Sequence, residues 1–391
     1  MELKTLVQGK DELDAGKAVE YIEGCEGARL VLIYSSLKNE FINLDYVEKL
    51  IENLKTDFIG ARVAASVTNQ GYNENAISYA ILCGDIEHRI YHTKTDYENP
   101  HKTAEKIIPE LKGYTNCLAY SANYIKENIH VDNIFQQVQK QHPNLQINGG
   151  ITAPPPIVFD KNGIYEDSII LAALKNKKTD FYIDCGFKLR EDSEKYTITK
   201  ADEKGIKEIN HKPAIAEYSR MTHTQPYMMK TVFNISSRLD WAKMTGALSK
   251  SNPILQEAIQ NIYTNILGKE SKTGIVNMMF SQPGENTLIP NNIIPEGSQV
   301  KWTATTPQKQ LAVYDRFTEK HLKARGVIAD DCCIRAFWFN HQLDKMAEKL
   351  MKLEYPYIFN HMNSELGTKT PYTHQKENIL HGGTLKALVF K

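Results

Sequence analysis

The feature that most narrows what this chain can fold into is an internal repeat, a strand, helix, strand, strand unit written three times along 391 residues. In the first copy the apolar run Leu30-Val31-Leu32-Ile33-Tyr34 is followed by Val47, Leu50, Ile51 and Leu54 at helical spacing, then by Gly60 to Ser66 and Ile77 to Leu82. The second copy runs from Cys117-Leu118-Ala119-Tyr120 through Ile134, Phe135 and Val138 to Leu145–Gly150 and Ile169–Leu174. The third reads Ile334–Phe339, a helix with Leu343, Met346, Ala347 and Leu350, then Tyr357–Asn360 and Leu385–Phe390. One such unit cannot bury its strands alone. Three of them predict an α/β protein with mixed sheets and helices packed on the outer faces.

Between the second and third copies the pattern changes. Phe181, Ile183, Tyr196 and Ile198 alternate as in antiparallel strands, with Arg190–Lys195 as the polar turn between them. The connector Met221–Pro226 places a boundary near 208–232 and divides the chain into two domains, 1–210 and 211–391. Beyond it, Asn252-Pro253 starts a helix with Ile254, Leu255, Ala258, Ile262 and Ile266 on one face, and Gly268 stops it.

Charge and composition exclude several function classes. The 47 basic and 47 acidic residues cancel, and no block of like charge outruns Lys175-Asn176-Lys177-Lys178, so nothing marks a nucleic-acid or anionic-lipid surface. No stretch approaches the ~18 apolar residues of a membrane span, and the N-terminus has no apolar leader core. A cytoplasmic protein without membrane insertion is expected. Six scattered cysteines with no C-x-x-C pair suit reduced thiols, with Cys83, Cys117 and Cys185 in apolar runs as core residues. There is no G-x-S-x-G elbow, P-loop, G-x-G-x-x-G turn or H-E-x-x-H helix, so no common enzyme class is supported.

Polar residues collect instead at equivalent strand ends of the repeat: Ser35-Ser36 and Thr68–Gly71, Ser121-Ala122-Asn123 and Gly149-Gly150, Asn340-His341 and His361–Glu365. Strand ends of a repeated unit converge on one sheet edge, where α/β proteins place ligands. The C-terminal third adds Asp330-Asp331-Cys332-Cys333, Arg335, Glu365 and His381–Thr384. Arg335, in the strand read over 334–339, points out, pairs with an acid such as Asp331 or Glu365, or clamps an anionic ligand group. The candidate ligand-binding residues are Arg335, Glu365, His381, Thr384, Gly149 and Gly150. An enzyme would use Arg335, Glu365 and His381 as anion clamp, acid-base carboxylate and acid-base imidazole. His341, His361 and His381 are the candidate iron ligands if haem b is bound, while the adjacent Cys332 and Cys333 lack the usual spacing of a zinc site. His88 and His92 share one face of an alternating strand and read as structural.

These residues resemble the FIST signal-transduction proteins over nearly the whole chain. The resemblance is carried by Leu30 to Ser36, Gly60 to Gly71, and Asn148-Gly149-Gly150 followed by Asp160–Gly163. In the C-terminal half it is carried by Gly297-Ser298, Cys332 to Arg335, Ser364–Gly367 and His381–Thr384. Ala64–Thr68 and Ile151–Pro156 depart from the family's small polar pattern. The resemblance implies N- and C-terminal FIST domains and an input function for a small-molecule ligand. A stand-alone chain of this size looks like the haem-binding, nitric-oxide-sensing branch, which acts on a partner histidine kinase in trans. A non-catalytic scaffold and a homo-oligomer stay open.

Overall fold

Each repeat proves three strands and one helix longer than its apolar pattern shows. The computed structural model describes residues 1–38, 40–124, 127–175, 179–236, 254, 257–258, 262, 266–271, 274–278, 280–283, 287–333, 335, 343–367, 380–381 and 383–391. The first repeat is β1 (Glu2–Gly9), α1 (Ala15–Glu23), β2 (Ala28–Ser35), α2 (Glu40–Asn53), β3 (Asp57–Arg62), β4 (Ala65–Thr68), β5 (Gly71–Asn73) and β6 (Ala76–Cys83). The second repeats that order with β7 (Glu87–Lys94), α3 (Pro100–Ile107), β8 (Asn116–Ala122), α4 (Asn128–Gln141), β9 (Gln146–Ile151), β10 (Val158–Asp160), β11 (Gly163–Tyr165) and β12 (Ser168–Lys175). The third opens on β13 (Thr179–Asp184) and is then interrupted. The interrupting segment holds β14 (Lys188–Leu189), β15 (Tyr196–Asp202), β16 (Gly205–Ile209), β17 (Lys212–Pro213), α5 (Ala214–Thr222) and α6 (Pro226–Ser236). It continues through β18 (Leu267–Ser271), β19 (Gly274–Met278), β20 (Phe280–Pro283), β21 (Leu288–Pro290) and β22 (Gln299–Ala304). The repeat then resumes with α7 (Pro307–His321), β23 (Gly326–Cys332), α8 (Leu343–Leu350), β24 (Tyr357–Met362), β25 (Ser364–Leu366), β26 (Leu380–His381) and β27 (Leu385–Phe390).

The first helix of each repeat has a local start signal. Asp14 accepts from the Lys17 amide at 3.1 Å, Asn99 precedes Pro100, and Thr306 precedes Pro307 and accepts from the Lys309 amide at 3.2 Å. These are N-cap residues, two of them with proline at the first helical position.

Three six-stranded sheets follow one pattern: leading strand, returning strand, the parallel pair, then a hairpin. In the first sheet β2 and β3 run parallel, Leu30 facing Asp57, and β6 pairs antiparallel with β2. The hairpin at the end comes from a different repeat each time. β10 of the second repeat pairs with β3, β25 of the third pairs with β9, and β4 of the first pairs with β24. The exchange is cyclic, so the three repeats close on one another about a pseudo-threefold axis.

Alternation along the strands builds two kinds of core. Leu30, Leu32 and Tyr34 point inward and meet Leu118, Tyr120, Ile328, Ile358 and Leu388 of the other sheets. Val31 and Ile33 point outward and are covered by Ala18, Ile22, Val47 and Leu50 of α1 and α2. Helices α3 and α4, and α7 and α8, cover the second and third sheets in the same way. The interrupting segment has its own apolar core, which takes in Cys332 and Cys333 at the end of β23. All six cysteines are buried thiols outside any disulfide. No helix among the described residues is long and apolar enough to cross a membrane.

Three expectations are corrected. The first strand of the third copy is Gly326–Cys332, not 334–339: Arg335 is helical, and 334 and 336–339 lie outside the described residues. Asp330 and Asp331 break the apolar run there, yet both are wholly buried because protein donors meet them. β13 pairs with β27 at the far end of the chain rather than with β15. Of the helix read over 252–268, Ala258 and Ile262 are buried but Ile254 is 67% exposed, and Gly268 lies inside β18; apart from Glu257, the remaining positions up to 265 are outside the described residues.

Gly149 lets β9 pair closely with β8 of its own repeat, and Gly150 lets it take the exchanged strand β25. Gly149 has φ +150°, and a Cβ on it would lie 1.8 Å from the Ala119 carbonyl oxygen; one on Gly150 would lie 2.6 Å from that of Ser364. Gly149→Ala is therefore expected to destabilise the fold by about 3 kcal/mol or more in denaturant unfolding. Gly71→Ala, at a φ of +101° with nothing within 4 Å of its Cβ, carries only the backbone strain of about 1–2 kcal/mol. Equal losses in the two variants would contradict the packing account.

Candidate functional site

The strand ends of all three repeats meet at one end of the pseudo-threefold axis. Three backbone hydrogen bonds tie them in a ring: Ala64 N to His361 O at 2.9 Å, Ala153 N to Arg62 O at 3.0 Å, and Asn363 N to Ile151 O at 2.9 Å. Inside the ring is a small opening of ≈20 Å³, lined by Ser36, Lys38, Arg62, Ala153, Pro154, Cys333 and Asn363 among others, room for about one water. Every repeat contributes. Arg62 is only 8% exposed, which places a cationic side chain deep at the mouth. Asn363 donates to Thr152 O at 2.8 Å and accepts from the Cys333 thiol at 3.5 Å, so the second and third repeats are joined across the opening.

Beneath the opening a column of polar side chains runs through the central core. The Tyr34 and Tyr120 hydroxyls share a hydrogen bond of 2.6 Å, and their third-repeat equivalent is Asp330. Asp330 accepts from Asn148 at 2.7 Å and from Asn360 at 3.3 Å. Burial pushes its carboxyl up to about 7, against the pull of those two amides and of the nearby Lys386. Lys386 is itself buried and donates to the carbonyls of Glu365 and Gly367, both at 2.8 Å. Desolvation drives the Lys386 ammonium well below, and the Glu365 carboxyl well above, their usual ranges. Both groups are thus biased toward their neutral forms.

The residues singled out from sequence are brought close, and most are engaged by the protein itself. Glu365 Oε2 accepts from the Thr384 amide at 3.2 Å and its hydroxyl at 2.8 Å, while Oε1 has no partner among the described residues. His381 sits opposite Glu365 in the β25–β26 pair and is buried. Arg335, wholly buried, holds Asp331 at 3.0 Å, donates to Gln310 O at 3.0 Å and lies over the Tyr314 ring at 5.2 Å. Its guanidinium faces protein acceptors and ties α7 to the end of β23. Gly149 and Gly150 serve the strand pairing described above.

His361 is buried at the end of β24 with its ring edge-on to Tyr72 at 6.1 Å. Burial holds it below the usual imidazole range, and its Nε2 has no partner among the described residues. His341 and Asn340 lie outside the described residues. No group of three or more His, Cys, Asp or Glu among the described residues is placed to hold a metal. His88 and His92 stand on β7, His88 3.1 Å from Asp57 and His92 stacked on Tyr165 at 3.6 Å.

Sequence reasoning passed over Arg62, and it named Asp330 within the C-terminal polar run without giving it a role. Arg62 looked like any strand-end residue, and only the fold shows that three strand ends close over it. Asp330 carried a signal, two consecutive acids flanked by Val327-Ile328-Ala329 and Cys332-Cys333, which marks a buried, partnered carboxylate.

The raised Asp330 carboxyl sets a testable pH dependence. The folded state keeps its proton up to about pH 7, whereas an unfolded carboxyl releases it near pH 4. This stabilisation is fully present at low pH and fades as pH rises through that window, by roughly 4 kcal/mol at most. Asp330→Asn removes the slope, so the stability of the variant relative to the native chain is expected to rise from pH 5 to pH 8 in denaturant unfolding. A difference that stays flat with pH would contradict the assignment.

Comparison with known proteins fits this geometry. The model of the FIST N domain family matches residues 29–212, from the start of β2 to the end of β16 and the turn beyond it. No curated protein matches the chain. FIST domains are small-ligand sensor domains of signal-transduction proteins. The chain carries a FIST N domain over residues 29–212, which takes in the first repeat from β2 onward, the whole second repeat and the opening strands of the third and of its interruption.

Proposed function

We propose that this chain is a ligand-responsive signalling protein whose small ligand enters at the strand-end opening around Arg62 and Asn363. The observation that carries this reading is the convergence of all three repeats there, with a nearly buried cation at the mouth. Cys332 and Cys333 connect the opening to the apolar core of the interrupting segment. A ligand that spreads the ring would therefore move that segment, which is how occupancy reaches a partner. Arg62 favours a ligand with an anionic group.

A haem-based nitric-oxide sensor acting on a partner histidine kinase is the narrower form of the proposal. His361 supports it in one respect: a neutral imidazole whose Nε2 has no partner among the described residues is the form that ligates iron. Space argues against it at the opening, which neither His361 nor His381 lines and which is far too small for a porphyrin. No step is routed through haem on these residues.

Two measurements test the pair of readings. In a thermal-shift screen of small carboxylates and other metabolites, a ligand that raises the melting temperature is expected to lose its effect in Arg62→Met and to weaken about tenfold in Asn363→Ala. A shift retained in both variants would place binding elsewhere. For the haem form, protein expressed with haem supply should show a stoichiometric Soret band that His361→Ala abolishes; no band above a non-binding control sinks that form alone.

A further inference from the structure

The segment that interrupts the third repeat closes none of the three six-stranded sheets, yet it carries a groove of its own. The groove measures ≈750 Å³, within the size range of small-molecule sites. Its floor is apolar, with Phe187 and Val300 buried beneath it. Its walls are cationic: Lys188 and Arg190 around β14, Lys195 ahead of β15, Lys269 on β18 and Lys301 on β22 face it, against two carboxylates, Glu191 and Glu270.

Folding, rather than a basic run, gathers these charges, in a chain whose formal net charge is zero. β22 is the organiser. It pairs with β14 at Ala304 and Thr303, with β15 at Val300 and Gln299, and with β18 at Trp302 and Lys301, which draws four separate stretches to one face. Arg190 is held by Asp192 at 3.1 and 2.7 Å. Lys188, Lys195 and Lys301 have no carboxylate within ion-pair distance among the described residues. Like charges gathered over an apolar floor repel one another and raise the energy of the fold unless an anion offsets them.

We propose that this groove is a second binding site, for a small polyanion bearing two or more phosphate or carboxylate groups. It is independent of the strand-end opening, since no residue lines both. Lysines rather than a bidentate arginine fork supply most of the charge, which suits a compact anion met by several point charges. Binding is electrostatic and weakens as salt is raised.

Isothermal titration calorimetry of the full chain at low salt, with inorganic tripolyphosphate and, separately, citrate as probes, tests the site. Saturable binding of at least one probe is expected, weakened about tenfold or more in Lys188→Ala/Lys301→Ala with the circular-dichroism melt unchanged. Lys188→Arg/Lys301→Arg should bind within about threefold of the native chain, which separates lost charge from lost fold. Arg62→Met, at the other site, should bind normally whether or not the strand-end reading holds. No saturable binding of either probe, binding indifferent to the Lys→Ala pair, or loss in Arg62→Met would each overturn the proposal.

Discussion

A β-sheet edge with unpaired backbone amides and carbonyls must be covered or paired. In this protein the inner edge of each repeat's parallel pair is paired by a hairpin from a neighbouring repeat: β3 by β10, β9 by β25, β24 by β4. Because the loan runs in a circle, no repeat can complete its sheet alone, and the chain must bring residues some 290 positions apart into register, as Val67 with Phe359 shows. Gly150 answers to the same constraint, since the backbone of the borrowed strand approaches it at Ser364, while Gly149 admits β8 on the other side of β9.

The axis of this circle explains where polar chemistry collects. Three sheets facing one another leave a central seam, and where the strands end the seam opens. Along the seam the inward position filled by tyrosine in the first two repeats is filled by Asp330 in the third, and Asn148 and Asn360 replace the apolar neighbours around it. Such a buried network is tolerable only when its members satisfy one another. The third repeat thus breaks the chemical symmetry of a symmetric scaffold, and it is also the repeat that accepts the long interruption. The strand-end opening and the core of that interruption are joined through Cys332 and Cys333.

Much of this fold was legible in the sequence. The apolar runs of β2, β6, β8, β12 and β27, and the helical faces of α2, α4 and α8, follow periodicity because they bury one face or both. The leading strand β1 was not legible, being a half-exposed sheet edge with mixed residues, whereas β7 showed in the alternation around His88 and His92. The helices α1, α3 and α7 were overlooked although Asp14, Asn99-Pro100 and Thr306-Pro307 announce them. β23 was displaced because two acids sit in its middle, and their partners, Asn148 and Arg335, are distant or helical. Of the site, the convergence of strand ends was visible as repeated polar endings. Arg62 was not, because its burial is created by the hairpin exchange, a pairing that leaves no local mark on the chain.

Hydrogen exchange followed by mass spectrometry across a denaturant series tests the central claim, that the exchanged hairpins make the three repeats one cooperative body. The account predicts that residues 65–68, 158–160 and 364–366, one borrowed strand from each repeat, lose amide protection together at a single denaturant concentration. Loss of protection in one repeat while the other two stay closed would contradict it.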